Sequence, residues 1–217
     1  MKKTNKDGQA IGRKGAESRA RLLAAARQLL MELSTARKLT ASAIARAAGL
    51  ASQTFYLYFD DVEEILLCLS EEASADTTAI IEALDSAWDT AAPQIYAQNV
   101  VDALYQYWDR HRPILNIRNY MADRGDEAFS KLRSESAIPI ITRIARRIRS
   151  GQGEGRLSER ASLARAITIF AAIERVAARY ASYEGNNFMP GAAEMKRAEA
   201  DIMAMLMSPI PAMQGLA

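Results

Sequence analysis

Ser52-Gln53-Thr54-Phe55-Tyr56-Leu57-Tyr58-Phe59 (SQTFYLYF) gathers four of the chain's fifteen aromatic residues into eight positions. It follows Ile44-Ala45-Arg46-Ala47-Ala48-Gly49-Leu50 and precedes Asp60-Asp61-Val62-Glu63-Glu64. Gly49 can take the positive φ of a sharp turn, so the two flanks read as short helices joined there. By spacing, Leu50, Phe55 and Phe59 fall on one side and can pack inward. Gln53, Thr54, Tyr56 and Tyr58 are left to face outward. A Tyr hydroxyl can donate to a phosphate oxygen, and Gln can read an adenine edge. Two such helices in a basic segment make a helix-turn-helix candidate, whose second helix enters the major groove. The competing reading makes all four rings a hydrophobic plug beneath a larger domain.

The charge distribution favours the first reading. Residues 1–59 hold eleven Lys or Arg against three Asp or Glu, whereas residues 60–217 hold seventeen against twenty-three. A basic front and an acidic remainder suggest that only the front meets a polyanion. With 217 residues and 49% hydrophobic content, the chain has room for a small module joined to a larger domain. No apolar run spans a bilayer, and no signal core follows the basic N-terminus, so a cytoplasmic protein without membrane contact is expected. Cys68 and His111 are each alone of their kind. Neither a multi-cysteine metal site nor a histidine relay is available, and no phosphate-binding glycine loop or nucleophile motif is present. The reading is therefore no enzyme, no cofactor and no metal, with Cys68 a small core residue.

Helical periodicity runs through the chain, and strand alternation is absent. Residues 1–15 are polar and basic and read as a disordered arm. Residues 16–60 read as the helix-turn-helix domain and 61–217 as a helical effector-binding and dimerisation domain. Helices are expected over about 17–34, from Thr40 to Gly49, over the aromatic stretch, and from Asp60 or Asp61 to about residue 91. Five more are expected over about 93–110, 113–124, 126–150, 158–184 and 191–207, with a kink at Pro139. The glycine-rich segments at 150–155 and 185–190 read as loops, and residues 209–217 as a frayed tail. The fold class is all-α.

Leu39-Thr40, Ile44-Ala45, Ala47-Ala48-Gly49-Leu50, Thr54-Phe55-Tyr56-Leu57-Tyr58-Phe59 and Glu63-Glu64-Ile65-Leu66 closely resemble the DNA-binding region of TetR-family transcriptional repressors. Leu22-Leu23-Ala24-Ala25-Ala26 and Leu29-Leu30 resemble that family's first helix, so the match covers about residues 17–68. The resemblance implies a nine-helix chain, a homodimer on a palindromic double-stranded DNA operator, and a small-molecule effector in the C-terminal domain. It places Thr40, with Ser42, at a phosphate, Ser52, Gln53, Thr54 and Tyr56 at the groove, and Tyr58 near the backbone. Val62 stands where the family commonly has Lys, which removes a phosphate contact, and Ala51 stands where Ser often caps the recognition helix. Arg13, Lys14, Arg19 and Arg21 are expected to compensate.

In the larger half, pocket candidates are polar or aromatic groups on apolar faces. Glu174 lies in a stripe with Leu163, Ile167, Phe170, Ala171, Ala177 and Ala178. An interior carboxylate there could meet a cationic or hydroxyl-bearing effector, pair with Arg118 or Arg175, or lie at the edge of a dimer interface. Trp108, Asn116, Asn119 and Tyr120 are further effector candidates, although an aromatic row at this spacing also suits a core. His111 caps a helix end or bonds locally. The Ala- and Met-rich last two helices suit a four-helix dimer interface. The resulting expectation is a ligand-released DNA-binding repressor. Its alternatives are a helical interaction protein with weakened operator binding and an all-helical enzyme built on Glu174.

Overall fold

The computed structural model describes residues 12–32, 39–88, 92–153, 157–180 and 190–209. The described residues are helical and turn throughout, with nine helical segments: α1 Arg13–Glu32, α2 Ala41–Ala47, α3 Ser52–Phe55, α4 Val62–Ala75, α5 Thr78–Asp85, α6 Pro93–Asp123, α7 Glu127–Gln152, α8 Glu159–Arg179 and α9 Ala192–Met207. The expected loop at 185–190 and the tail lie almost wholly outside the described residues. So does the expected arm up to residue 11, while Arg13, Lys14 and Gly15 form the first turn of α1. Contacts divide the chain into two compact units. One contains the residues up to Ser74 together with Pro113–Arg133, and the other contains Ala75–Arg112 with the residues from Ser134 onward.

The first unit is built on α1, α2 and α3. Leu22, Ala26 and Leu30 of α1, Ile44 and Ala45 of α2, and Phe55 and Phe59 of the aromatic stretch are buried. Thr40 caps α2 by accepting from the Ala43 amide at 3.2 Å. Gly49 turns the chain at φ +65°, and a Cβ there would meet the Arg21 guanidinium at 2.9 Å. A side chain at this turn would therefore be strained, and Arg21 would have to give way to it. α4 starts with Asp61 Oδ1 accepting from the Glu64 amide at 2.9 Å, while Glu64 reaches back to the Asp60 amide at 2.7 Å. The acidic pair thus satisfies a helix start.

The second unit is held by rings and ion pairs. Trp88 meets Tyr96 edge-on at 5.0 Å, and the Arg147 guanidinium lies over both rings. Arg143 pairs with Asp85 at 3.0 Å. His111 Nε2 lies 2.8 Å from Asp76, which Arg110 also holds, and these bonds keep the Asp76 carboxyl below its ordinary range. His111 therefore bonds 35 residues away in sequence rather than locally.

Besides the earlier start of α1 and an α3 of only four residues, the sequence expectations differ from this architecture in three further places. The helix expected from about residue 60 to 91 is two, broken at Asp76-Thr77. The helices expected on either side of Pro113 are one, because α6 runs through that proline, where the division between units also falls. These two differences cancel in the total. The third lies at Gly151, where a glycine-rich loop was expected but α7 continues to Gln152. A Cβ on Gly151 would overlap the Met207 carbonyl, so this glycine serves a close helix approach, fastened by Gln152 donating to the carbonyls of Leu206 and Ser208.

Candidate functional site

The outward face of the helix-turn-helix rises from a division of labour within eight residues. Phe55 and Phe59 are fully buried, 5.6 Å apart, and anchor a helix too short to stand on its own hydrogen bonds. Ser52 and Gln53 are exposed, Thr54 and Tyr58 half-buried, and Tyr56 is 48% exposed. Tyr56 rests edge-on against Phe55 at 5.4 Å, which orients its ring without covering it. Ala51 at the N-cap offers no side-chain bond, so the α3 amides at that end lack a side-chain cap. Thr40 and Ser42 are exposed at the start of α2, their hydroxyls 3.2 Å apart. The surface therefore presents hydroxyls, an amide and a phenol on a rigid backing, the donor and acceptor types that read phosphates and base edges.

Four basic residues of α1 have different surroundings. Arg13 and Lys14 are exposed on the first turn of α1, with Arg13 Nε 3.5 Å from Glu17. Arg19, expected at DNA, is turned inward. It is 8% exposed, donates to Cys68 Sγ at 3.2 Å and lies 5.0 Å over the Phe59 ring. It ties α1 to α4 and to the aromatic anchor. Cys68 is half-buried, and burial raises its thiol pKa, which suits packing rather than a reactive thiolate. Arg21 donates to the carbonyls of Ala48 at 2.5 Å and Gly49 at 3.3 Å, at the C-terminal end of α2.

The effector candidates are divided between the two units. Asn116, Asn119 and Tyr120 belong to the first unit. Asn116 is exposed, Asn119 accepts from Arg118 Nε at 3.1 Å, and Tyr120 is exposed with its hydroxyl bonded to Arg124 at 3.0 Å. Trp108, Phe170 and Glu174 belong to the second unit, Trp108 being 1% exposed, Phe170 buried and Glu174 half-buried. The stripe assigned to α8 is split between its two sides, with Phe170 and Ala177 buried and Ala171 exposed. Leu163 and Ile167 are exposed, and the buried row is Ser162, Ala166, Ile169, Phe170, Ile173 and Ala177. The shift arises because Leu163 and Ile167 read as inward by residue type, whereas Ser162 and Ala166 hold the buried positions in line with Ile169, Phe170 and Ile173.

The buried carboxylate of this unit is Glu199, which the sequence reading did not single out. It is 5% exposed on α9, and neither carboxylate oxygen completes a well-formed hydrogen bond among the described residues. Burial pushes its pKa up to about 7, and the Tyr105 hydroxyl only partly offsets this. Tyr105 is fully buried, and burial first, then the Glu199 charge, raises its own pKa. Its ring lies 5.3 Å from that of Tyr180, whose hydroxyl donates to Asp109 at 2.6 Å. Lys196 lies over the Tyr105 ring at 5.1 Å, and Arg112 over the Tyr180 ring at 4.5 Å. A signal existed in the sequence: Glu199 falls in the helical row of Met195 and Met203. A separate open cleft of about 880 Å³ lies between the end of α7 and the start of α8, lined by Arg146, Arg149, Glu159, Ser162 and Leu163 among others.

An all-α chain presenting this helix-turn-helix face has the build of a DNA-binding module. Its residues 22–69 match the family profile described as "Bacterial regulatory proteins, tetR family", and residues 81–207 match "Tetracyclin repressor-like, C-terminal domain". The chain belongs to the TetR family and is a DNA-binding transcriptional regulator. Among solved structures it is similar to a tetR-family transcriptional regulator from Streptomyces coelicolor, at 18% identity and a TM-score of 0.65 over 88% of this chain and 81% of that one. The fatty acid degradation regulator FadR from Bacillus halodurans matches at 16% identity and 0.64, over 86% and 94%. FadR from Bacillus subtilis, solved in complex with stearoyl-CoA, matches at 17% identity and 0.60, over 88% and 99%. No curated protein matches the chain. Among the described residues, no helix is long and apolar enough to cross a membrane.

Proposed function

We propose that this regulator is a dimeric repressor that holds a palindromic operator and is released by a small molecule bound in its second unit. The observation that carries the reading is the partition of the aromatic stretch, with Phe55 and Phe59 sealed inward and Ser52, Gln53 and Tyr56 exposed. In this reading Ser52, Gln53, Thr54 and Tyr56 meet the major groove. Thr40, Ser42 and Tyr58 meet the backbone, and Arg13 and Lys14 add phosphate contacts. Residues 16–60 then serve as the reading domain. Two copies would present two such faces to half-sites about one helical turn, or a multiple of it, apart.

Exposed apolar residues support dimerisation through the last two helices. Leu163 and Ile167 on α8 and Ile202 and Met205 on α9 lie open to solvent in the single chain. Release by an effector is a shift between two dimer forms, so the effector must bind them with different affinity. Chemistry plays no part in this reading, and the protein turns nothing over.

Fluorescence anisotropy on DNA flanking the protein's own gene, measured across a salt series, tests the proposal. Specific binding with a steep salt dependence is expected. Binding that is absent, or equal on unrelated DNA, would favour the interaction-protein alternative. Val62, half-buried where the family commonly has Lys, is the observation that keeps that alternative worth testing.

A further inference from the structure

Resting on the reading of the second unit as the effector domain, we propose that Glu199, Tyr105 and Trp108 form the polar end of the effector site. The effector they take carries a positive charge on an apolar body, as a protonated or quaternary amine does.

Three observations converge on this site. The first is the uncompensated carboxylate. Around Glu199, Lys196 on the same helix pairs with Asp102 of α6 at 3.2 Å, and Arg112 of α6 pairs with Asp109. Both cations are thus held by aspartates, and neither pairs with Glu199. A lone buried carboxylate is costly unless it is neutralised by a proton or by a cation. The second is the set of unsatisfied groups beside it. The Tyr105 hydroxyl, which faces Glu199, and the Trp108 indole nitrogen, three residues further along α6, are buried without a well-formed hydrogen bond. The third is the ring wall. Tyr105 and Tyr180 already hold cations on their faces, those of Lys196 and Arg112, which shows that the rings here are placed for cation–π contact.

Protonation links these observations to a measurable signature. With its pKa pushed up to about 7, Glu199 carries a proton through much of the neutral range in the free protein. An entering cation replaces that proton, so binding releases it. Below pH 7 the affinity should fall about tenfold per pH unit, because an amine remains charged like a lysine up to about pH 10. One neighbouring feature favours the opposite sign of ligand: Arg112 Nη1 is buried without a partner. The structural relative solved with stearoyl-CoA makes that compound the natural anionic competitor.

The test is isothermal titration of the full chain with 4-phenylbutylamine, 4-phenylbutan-1-ol and stearoyl-CoA at pH 6, 7 and 8. The amine is expected to bind at least tenfold more tightly than the alcohol at pH 8. It should release up to one proton at pH 6, and lose its advantage in Glu199→Gln. Equal binding of the alcohol, preference for stearoyl-CoA, no binding of the amine, or an unchanged preference in Glu199→Gln would each overturn the inference. Should Glu199→Gln fail to fold, proton release and the pH slope of the natural protein decide the matter alone. Anisotropy on the operator separates the two levels. DNA binding without amine binding removes this inference only, whereas loss of specific DNA binding removes the regulator reading itself.

Discussion

The two units solve opposite problems with the same residue types. In the first, tyrosines and an amide are turned out of a core that two phenylalanines complete, and the buried Arg19 finds Cys68 and a ring face. In the second, a tyrosine, a tryptophan and a glutamate are drawn into the interior and left with bonding capacity unused. A buried polar group without a partner costs about 1–3 kcal/mol, so the second unit carries a burden that packing alone does not require. One surface is finished, its polar groups turned to solvent over a sealed core. The other interior is unfinished, and its unused groups mark where a ligand would complete it.

The largest expected effect tests the finished side. Phe55→Ala removes the buried ring that anchors a four-residue helix and should cost about 3–5 kcal/mol of stability, with loss of operator binding. Urea denaturation beside anisotropy measures both, and a stable variant that still binds operator would show that the aromatic anchor is dispensable. Next comes the outer face. Gln53→Ala should leave the fold unchanged, lower operator affinity by about 1–3 kcal/mol and relax preference at one base pair. A uniform loss across all operator variants would instead place Gln53 at a phosphate.

The unfinished side gives a pH-dependent effect. The folded-state pKa of Glu199, about 7, lies above its ordinary 4.5, so the folded form holds the proton more tightly than the unfolded chain. Its contribution to stability is therefore fully present below pH 4.5 and is lost as pH rises through 7. Glu199→Gln, neutral at every pH, should match the natural protein near pH 4.5 and exceed it by on the order of 2 kcal/mol at pH 8.5. Thermal melts at the two pH values check this. Equal stability at both would mean that the carboxylate finds a partner when it ionises.

The contrast also explains what could be read from the sequence. A helix-turn-helix is specified locally: Thr40 caps within three residues, Gly49 turns on its own dihedral, and Phe55 and Phe59 share a face by spacing. All of these follow from short-range rules, and the family resemblance rests on the same residues. The second unit is specified by which helices meet, information that periodicity does not contain. Glu174 looked interior because it followed Leu163 and Ile167, yet those two lie on the open side of α8. Glu199 is one of several charges on α9, and although Met195 and Met203 share its row, its packing beside Tyr105 is what decides that it is buried. Gly151 read as a loop residue because its contact, the Met207 carbonyl, lies more than fifty residues away in sequence.

The smallest effect separates two arginines that sequence alone made equivalent. Arg13 and Arg21 both stand in the basic front, and both were expected at phosphates. In the structure, Arg13 is exposed, whereas Arg21 donates to the carbonyls of Ala48 and Gly49, where α2 ends and its dipole is negative. A guanidinium occupied in this way steadies the turn that sets the angle of α3, and it releases no counterion from DNA. Arg13→Ala should therefore reduce the slope of log affinity against log salt by about 0.9. Arg21→Gln should weaken operator binding at every salt concentration with the slope unchanged. If Arg21→Gln also flattened the slope, its guanidinium would be leaving the turn for a phosphate on binding. The two helices would then be joined by a turn that is rearranged by DNA rather than set in advance.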